Sequence, residues 1–278
     1  MSDRFQESPE FHKLLAGEPR PNLLAIALEI ARDAYPELDT ARYVGEVDRL
    51  ADRIRGRCGP KAKSRAVLGQ VNWALFVEEG YEGNRENYFD PRNSYLNEVI
   101  DRKKGIPISL SVLYLSLAAR LGVTLECVNT PAHFMLRLDE PGRAVFIDPF
   151  HSGEFLDEGG CQRRLSALTR SHVALSETQL APCSTRVTVA RMLRNLKAIY
   201  VGMSDFASAL PVQRRLAALE SDEPEERRDL GMVCLQADQV GEAIDPLEEY
   251  LRVRPKADDA ETIANLLAAA RRQIARWN

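Results

Sequence analysis

"NTPAHFMLRLDEPGRAVFIDPFHSG", residues 129–153, is where the hydrophobic period of the chain turns from helical to strand-like. Two β-rich runs, HFMLRL (133–138) and AVFIDPF (144–150), flank DEPGR, whose proline and glycine make a good hairpin turn. His133 opens the first run and Asp148 lies near the end of the second. In an antiparallel hairpin the two can sit side by side and face one cleft, among Phe134, Leu136, Val145 and Ile147. A histidine oriented by a carboxylate supplies the base and the orienter of a catalytic triad, which then lacks only its nucleophile. The plainer reading makes His133 an ordinary partly buried histidine and Asp148 the cap of the DPF turn. On the residues alone the plainer reading is the favoured one.

Upstream of this stretch the apolar spacing is helical. It predicts helices over 9–36, ended by YPELD, and over 40–58, with Thr40 as N-cap and Gly56, Gly59 and Pro60 as the stop. A third helix starts at Ser64 and gives way to a glycine-bearing loop; 94–105 and 109–122 supply two more. VTLECVN (123–129) adds a short strand ahead of the hairpin. The expected first domain is therefore α+β, helix-rich, with a small antiparallel sheet.

Downstream the chain is helical again and repeats itself. Leu196 matches Leu230, Tyr200 matches Cys234, Phe206 matches Val240 and Ala209 matches Ala243, each pair 34 residues apart. That is the tetratricopeptide period, in which small residues let paired helices approach closely. The expected organisation is a first domain over 1–162, a linker over 163–185 and helical repeats over 186–278. So few repeats make a short solenoid, and the tail is expected to pack against the first domain.

Composition excludes several classes of function. With 37 basic against 41 acidic residues and no basic stripe, nucleic acid is not an expected partner. The longest near-apolar run, around 106–119, is too short and too interrupted for a membrane span. No export signal is read in the first twenty residues, so the cytoplasm is the expected compartment. Cys58, Cys127, Cys161, Cys183 and Cys234 are widely spaced and form neither a disulfide framework nor a zinc pattern. His151 is a candidate to join His133 at a metal, but two histidines without a third ligand make a poor site, so no metal and no cofactor is expected.

NSYLNEVIDRKKGIPISLSVLYLSLAARLGV (93–123), followed by PAHFMLRL and FIDPFHSG, resembles the SirB-type proteins. The resemblance spans roughly residues 40–265 and is strongest from Asn93 to Gly153. It implies a transglutaminase-like, papain-related first domain followed by a tetratricopeptide region. Enzymes of that wider superfamily place a cysteine at a helix start, then a histidine and an aspartate on strands. The last two carry over to His133 and Asp148, and the helix to residues 107–121. The cysteine does not carry over, because Pro107 stands in its place. Ser109 is the nearest hydroxyl, but each helical residue advances the side chain by ~100°, so it projects away from that position. The resemblance also places Asn93, Ser94 and Glu98 near the cleft; Asn93 is equally well read as a turn or cap residue. Asn129 is a further pocket candidate or the satisfied end of a strand.

Three functions remain open on these grounds. The leading one is a non-catalytic interaction or regulatory protein whose partner is a protein or peptide, built on a degenerate domain and a repeat tail. The second is a hydrolase, amidase or peptidase of altered chemistry, using His133 and Asp148 with Ser109 or a water. The third is a purely structural role. Oligomeric state and partner identity are not written in the sequence.

Overall fold

The computed structural model describes residues 7–172 and 174–276, and the chain divides after Met192 into two compact units. The first unit opens on α1 (Pro9–Leu15) and α2 (Leu23–Ala31), where the sequence suggested one long helix. Gly17 in the left-handed region, with Pro19 and Pro21 behind it, breaks the run. Glu29 of α2 then satisfies the exposed start of α1, its carboxylate accepting the N–H groups of Glu10 and Phe11 at 2.9 and 2.8 Å. α3 (Thr40–Arg55) is capped by Asp39, one residue before the expected cap, whose side chain accepts from Ala41 and Arg42. α4 (Ser64–Asn72) runs into a wider π-turn over Trp73–Glu78.

Two-residue strands β1 (Glu82–Gly83) and β2 (Lys104–Gly105) pair in parallel on either side of α5 (Leu96–Arg102). α6 (Pro107–Arg120) follows, its proline in the first turn where a missing N–H costs nothing. Nearly every side chain from Pro107 to Ala118 is buried, so α6 is the central helix of the unit. It packs on α3 and on the main sheet. That sheet is antiparallel in the order β3 (Glu126–Val128), β4 (Met135–Glu140), β5 (Arg143–Asp148), β6 (Glu154–Leu156). The hairpin has the expected turn, with Leu138 opposite Val145 and Glu140 opposite Arg143.

β6 and the helix after it, α7 (Glu158–Thr169), were not expected. A three-residue strand carries too little alternation to be read, and it forms because the chain reverses through Ser152 and Gly153, both at positive φ. Residues 163–185, expected as a linker, hold the end of α7, and Leu165 and Leu180 belong to one core cluster with Val128, Met135, Phe146 and Leu156. That stretch is core-forming because its few apolar residues cover one face of the sheet.

The second unit is all-helical. α8 (Thr185–Gly202) contains the division between the units, and α9 (Phe206–Leu219), α10 (Pro224–Gln236), α11 (Val240–Val253) and α12 (Ala260–Ala275) follow as successive antiparallel neighbours. Ala209 and Ala243, paired by the repeat, are both fully buried. A tight approach also lies at Gly231 of α10, where a Cβ would sit 2.5 Å from the Leu247 side chain of α11.

Candidate functional site

β5 delivers Asp148 to its C-terminal end, where a short turn, Pro149–His151, folds the chain back toward β6. Gly153 closes the turn, its N–H bonded to the Asp148 carbonyl at 2.9 Å. Its φ is +71°, and a Cβ there would fall 2.0 Å from Asn72 Oδ1, so only glycine fits. Asn72 holds the turn from the other side: its Nδ2 donates to the Gly153 carbonyl at 2.8 Å, and its Oδ1 accepts from Tyr114 at 2.7 Å. α4 and α6 thus fix the turn that carries His151.

His133 arrives just ahead of β4 rather than on it, after a turn with Ala132 at positive φ. Thr130 ties that turn down by donating its hydroxyl to the His133 carbonyl at 3.0 Å. The expected dyad is present, with His133 Nε2 3.0 Å from Asp148 Oδ1. The contact is close but off-axis, and neither atom makes an aligned hydrogen bond. The aligned partner is His151, whose Nδ1 lies 2.7 Å from Asp148 Oδ2. Arg164 of α7 brings Nη1 to 3.0 Å from the same oxygen and pairs as well with Glu154.

Asp148 therefore sits among two imidazoles and a guanidinium. Burial by itself would raise its carboxyl, but the close His133 imidazole and the bond to His151 outweigh it and hold the group well below the ordinary carboxylate range. Asp148 is 0% and His133 2% exposed, so His151, at 19% for its side chain, is the member nearest to solvent. The Phe150 ring meets both imidazoles edge-on, at 6.2 Å from His133 and 5.3 Å from His151, and Tyr88 meets it edge-on as well, at 6.1 Å.

No thiol joins this cluster among the described residues. Burial pushes the Cys127 and Cys161 thiols up to about 12, with the Asp148 charge adding to the effect at Cys161. Cys234 is pushed up to about 11 by burial, and all five cysteines are unpaired. Ser109 is fully engaged elsewhere: its hydroxyl donates to the Asn93 carbonyl at 2.6 Å and accepts the Ile106 N–H at 3.1 Å. Those bonds cap the start of α6, and none reaches His133.

Several of the other expected cleft residues hold hydrogen bonds within the fold. Asn93 is buried, its amide donating to the Asn87 and Tyr88 carbonyls and accepting from Asn84. That pins the loop carrying Tyr88, which makes Asn93 a loop clamp. Ser94 is buried with its hydroxyl unpartnered, Glu98 lies half-buried in the first turn of α5, and Pro107 starts α6. Asn129 accepts from Arg191 at 2.8 Å. Sequence reasoning missed His151 as the second imidazole on Asp148, and it missed Arg164. A histidine three residues after the aspartate was a legible signal for the first. Nothing short of the α7–sheet packing could have pointed to the second.

This architecture defines a transglutaminase-like fold whose His–Asp–His cluster, among the described residues, includes no cysteine, followed by tetratricopeptide-type helices. The transglutaminase-like superfamily model matches residues 41–194, and a tetratricopeptide repeat model matches residues 196–268. The chain belongs to the transglutaminase-like superfamily and, within it, to the UPF0162 proteins. It is 34% identical over 245 residues to a UPF0162 protein of Xylella fastidiosa (strain Temecula1), covering 87% of each chain. A UPF0162 protein of Vibrio cholerae is 30% identical over 233 residues, 82% of each. F-box only protein 21 of Homo sapiens shares 38% identity over 104 residues, which are 34% of this chain and 17% of that one. No described helix is long and apolar enough to cross a membrane.

Proposed function

We propose that the protein is a non-catalytic interaction or regulatory protein of the SirB type, in which the old catalytic cleft serves the fold and the repeat helices bind a protein or peptide. The observation that carries this reading is the state of the nucleophile. Pro107 occupies the helix start, the Ser109 hydroxyl is spent on capping, and the nearby Cys161 thiol is too weakly acidic to attack near neutral pH. The burial of His133 supports it further, since a base must reach the proton that it takes. Tetratricopeptide helices commonly present concave surfaces to other chains.

A second reading keeps some chemistry, because the His133–Asp148 contact of 3.0 Å survives. In it a water takes the place of the thiol, and His133 acts as its base in an amidase or peptidase.

Thiol- and serine-directed electrophiles, read by intact mass beside a His133→Ala control, test the proposal together with a turnover assay on amide and peptide substrates. The expected result is no His133-dependent labelling and no turnover. Stoichiometric labelling of Ser109 or of any cysteine that disappears in the control overturns it. Hydrolysis without labelling, lost in His133→Ala, moves the assignment to the water mechanism.

A further inference from the structure

We infer that His133, Asp148 and His151 form a binding site for a divalent transition-metal ion of the zinc kind, held by one nitrogen of each imidazole and one oxygen of the carboxylate. The three donor atoms already lie within 4.8 Å of one another. In a tetrahedral site with bonds of ~2.0–2.2 Å, donor atoms stand roughly 3.4 Å apart, so modest side-chain rotation closes the set around an ion. The sequence offered two histidines and no third ligand; the fold supplies Asp148 as the third.

A second observation is that the cluster holds buried polar atoms in close contact without an aligned hydrogen bond. His133 Nε2 and Asp148 Oδ1 face each other at 3.0 Å, fully buried, and neither makes an aligned hydrogen bond. Unsatisfied buried atoms in a native structure call for a physical explanation, and a shared cation is one that both lone pairs accept. Two aligned imidazole–carboxylate pairs would have explained the cluster as a plain hydrogen-bond network. Only the His151 pair is aligned.

The donor chemistry selects the ion. Two imidazoles and a carboxylate suit zinc and its neighbours in the first transition row; calcium and magnesium prefer sets made of oxygen. Arg164 is the group that opposes a cation, and its Nη1, 3.0 Å from Oδ2, is likewise without an aligned hydrogen bond, but the guanidinium also pairs with Glu154. Two carboxylates against one guanidinium leave the cluster one net negative charge, which favours a divalent ion. Arg164 also sits on Oδ2, leaving Oδ1 free to ligate, as outer-shell partners of metal-bound carboxylates do. His151 is the flexible arm: it exchanges its bond to Oδ2 for the ion and offers the route in from solvent. Bound there, the metal clips the turn before β4 to the end of β5. The inference goes beyond the interaction reading and does not depend on it.

The test uses the full chain, stripped with a chelator and dialysed against Zn²⁺ or Co²⁺, with bound metal counted by mass spectrometry. One equivalent should bind, and the Co²⁺ form should show visible d–d bands without an intense thiolate-to-metal band. His151→Ala, chosen because His151 is the least buried ligand, should weaken binding more than about tenfold, the least that loss of even an outer-shell partner costs. Circular dichroism establishes that the variant is folded, and His151→Gln serves if the alanine variant is not. No uptake by the wild type overturns the proposal. So does unchanged uptake in the folded His151 variant, or a thiolate band that moves the ion to a cysteine.

Discussion

Asp148 is the residue on which the site turns, since its one carboxylate is shared by His133, His151 and Arg164. Replacing it with asparagine keeps the shape and removes the charge, leaving Arg164 facing a neutral amide. Breaking a buried pair in this way costs about 3–5 kcal/mol at neutral pH. The pH dependence follows from the depressed carboxyl. The unfolded chain binds that proton near the ordinary value of 3.8, and the folded chain binds it only in stronger acid. Stability from Asp148 is therefore fully present above the ordinary value and is lost as pH falls toward the folded one. Urea melts of wild type and Asp148→Asn should differ most near neutral pH and converge below about pH 4. A gap that stays constant into acid would mean that the carboxyl is not held low. The His133–Asp148 pairing was legible because a short hairpin turn leaves little freedom in what faces what. The sharing was not, because one carboxylate has room for neighbours from the turn and from α7 that a strand pattern does not display.

Among the elements, the turn from Pro149 to Gly153 does most to position the chemistry. It connects two strands, hydrogen-bonds to α4 through Asn72 and lays Phe150 against Gly83 of β1. Gly153→Ala places a Cβ at positive φ and into the Asn72 side chain, so both strain and overlap act. Each costs on the order of 1–3 kcal/mol. Thermal melts should show a fall in midpoint, and Asn72→Ala in the same chain should relieve part of it by removing the overlap. An undiminished penalty in the double variant would leave backbone strain as the whole cause. Element existence was readable wherever apolar spacing persisted, as in α3, α6 and the hairpin. Boundaries failed where a single residue decides them: Gly17 divided one expected helix into α1 and α2, and Asp39 displaced Thr40 as a cap. β6 was invisible because its three residues pair with β5 only after the turn has been made.

At the scale of the molecule the two-part plan was legible, since a strand-like pattern gives way to a 34-residue helical repeat. The boundary was harder to read. Residues 163–185 fall between the strand-like pattern and the 34-residue repeat, which suggested a linker, yet Leu165 and Leu180 complete the core cluster over the sheet. Their contribution is tertiary, two leucines joining Cys161 over a face formed by Val128, Met135 and Phe146, and no local periodicity announces it. The Cys183 N–H adds a backbone bond to the Cys127 carbonyl at 2.8 Å, on the edge of β3 away from β4, and Arg191 reaches Asn129. A fragment spanning residues 8–162 keeps every strand but ends within α7, losing Arg164, Leu165 and Leu180. Asp148 then loses its guanidinium, and one face of the sheet opens to water. Each fully buried leucine lost removes about 1.5–3 kcal/mol, and the exposed charge network weakens the remainder. Against a total stability of about 5–15 kcal/mol, those losses are enough to abolish cooperative folding. A fragment spanning 8–192 keeps them all. It should show a sigmoidal urea transition and a native near-ultraviolet dichroism spectrum, and the 8–162 fragment should show neither. A cooperative transition in the shorter fragment would return residues 163–185 to the status of a linker.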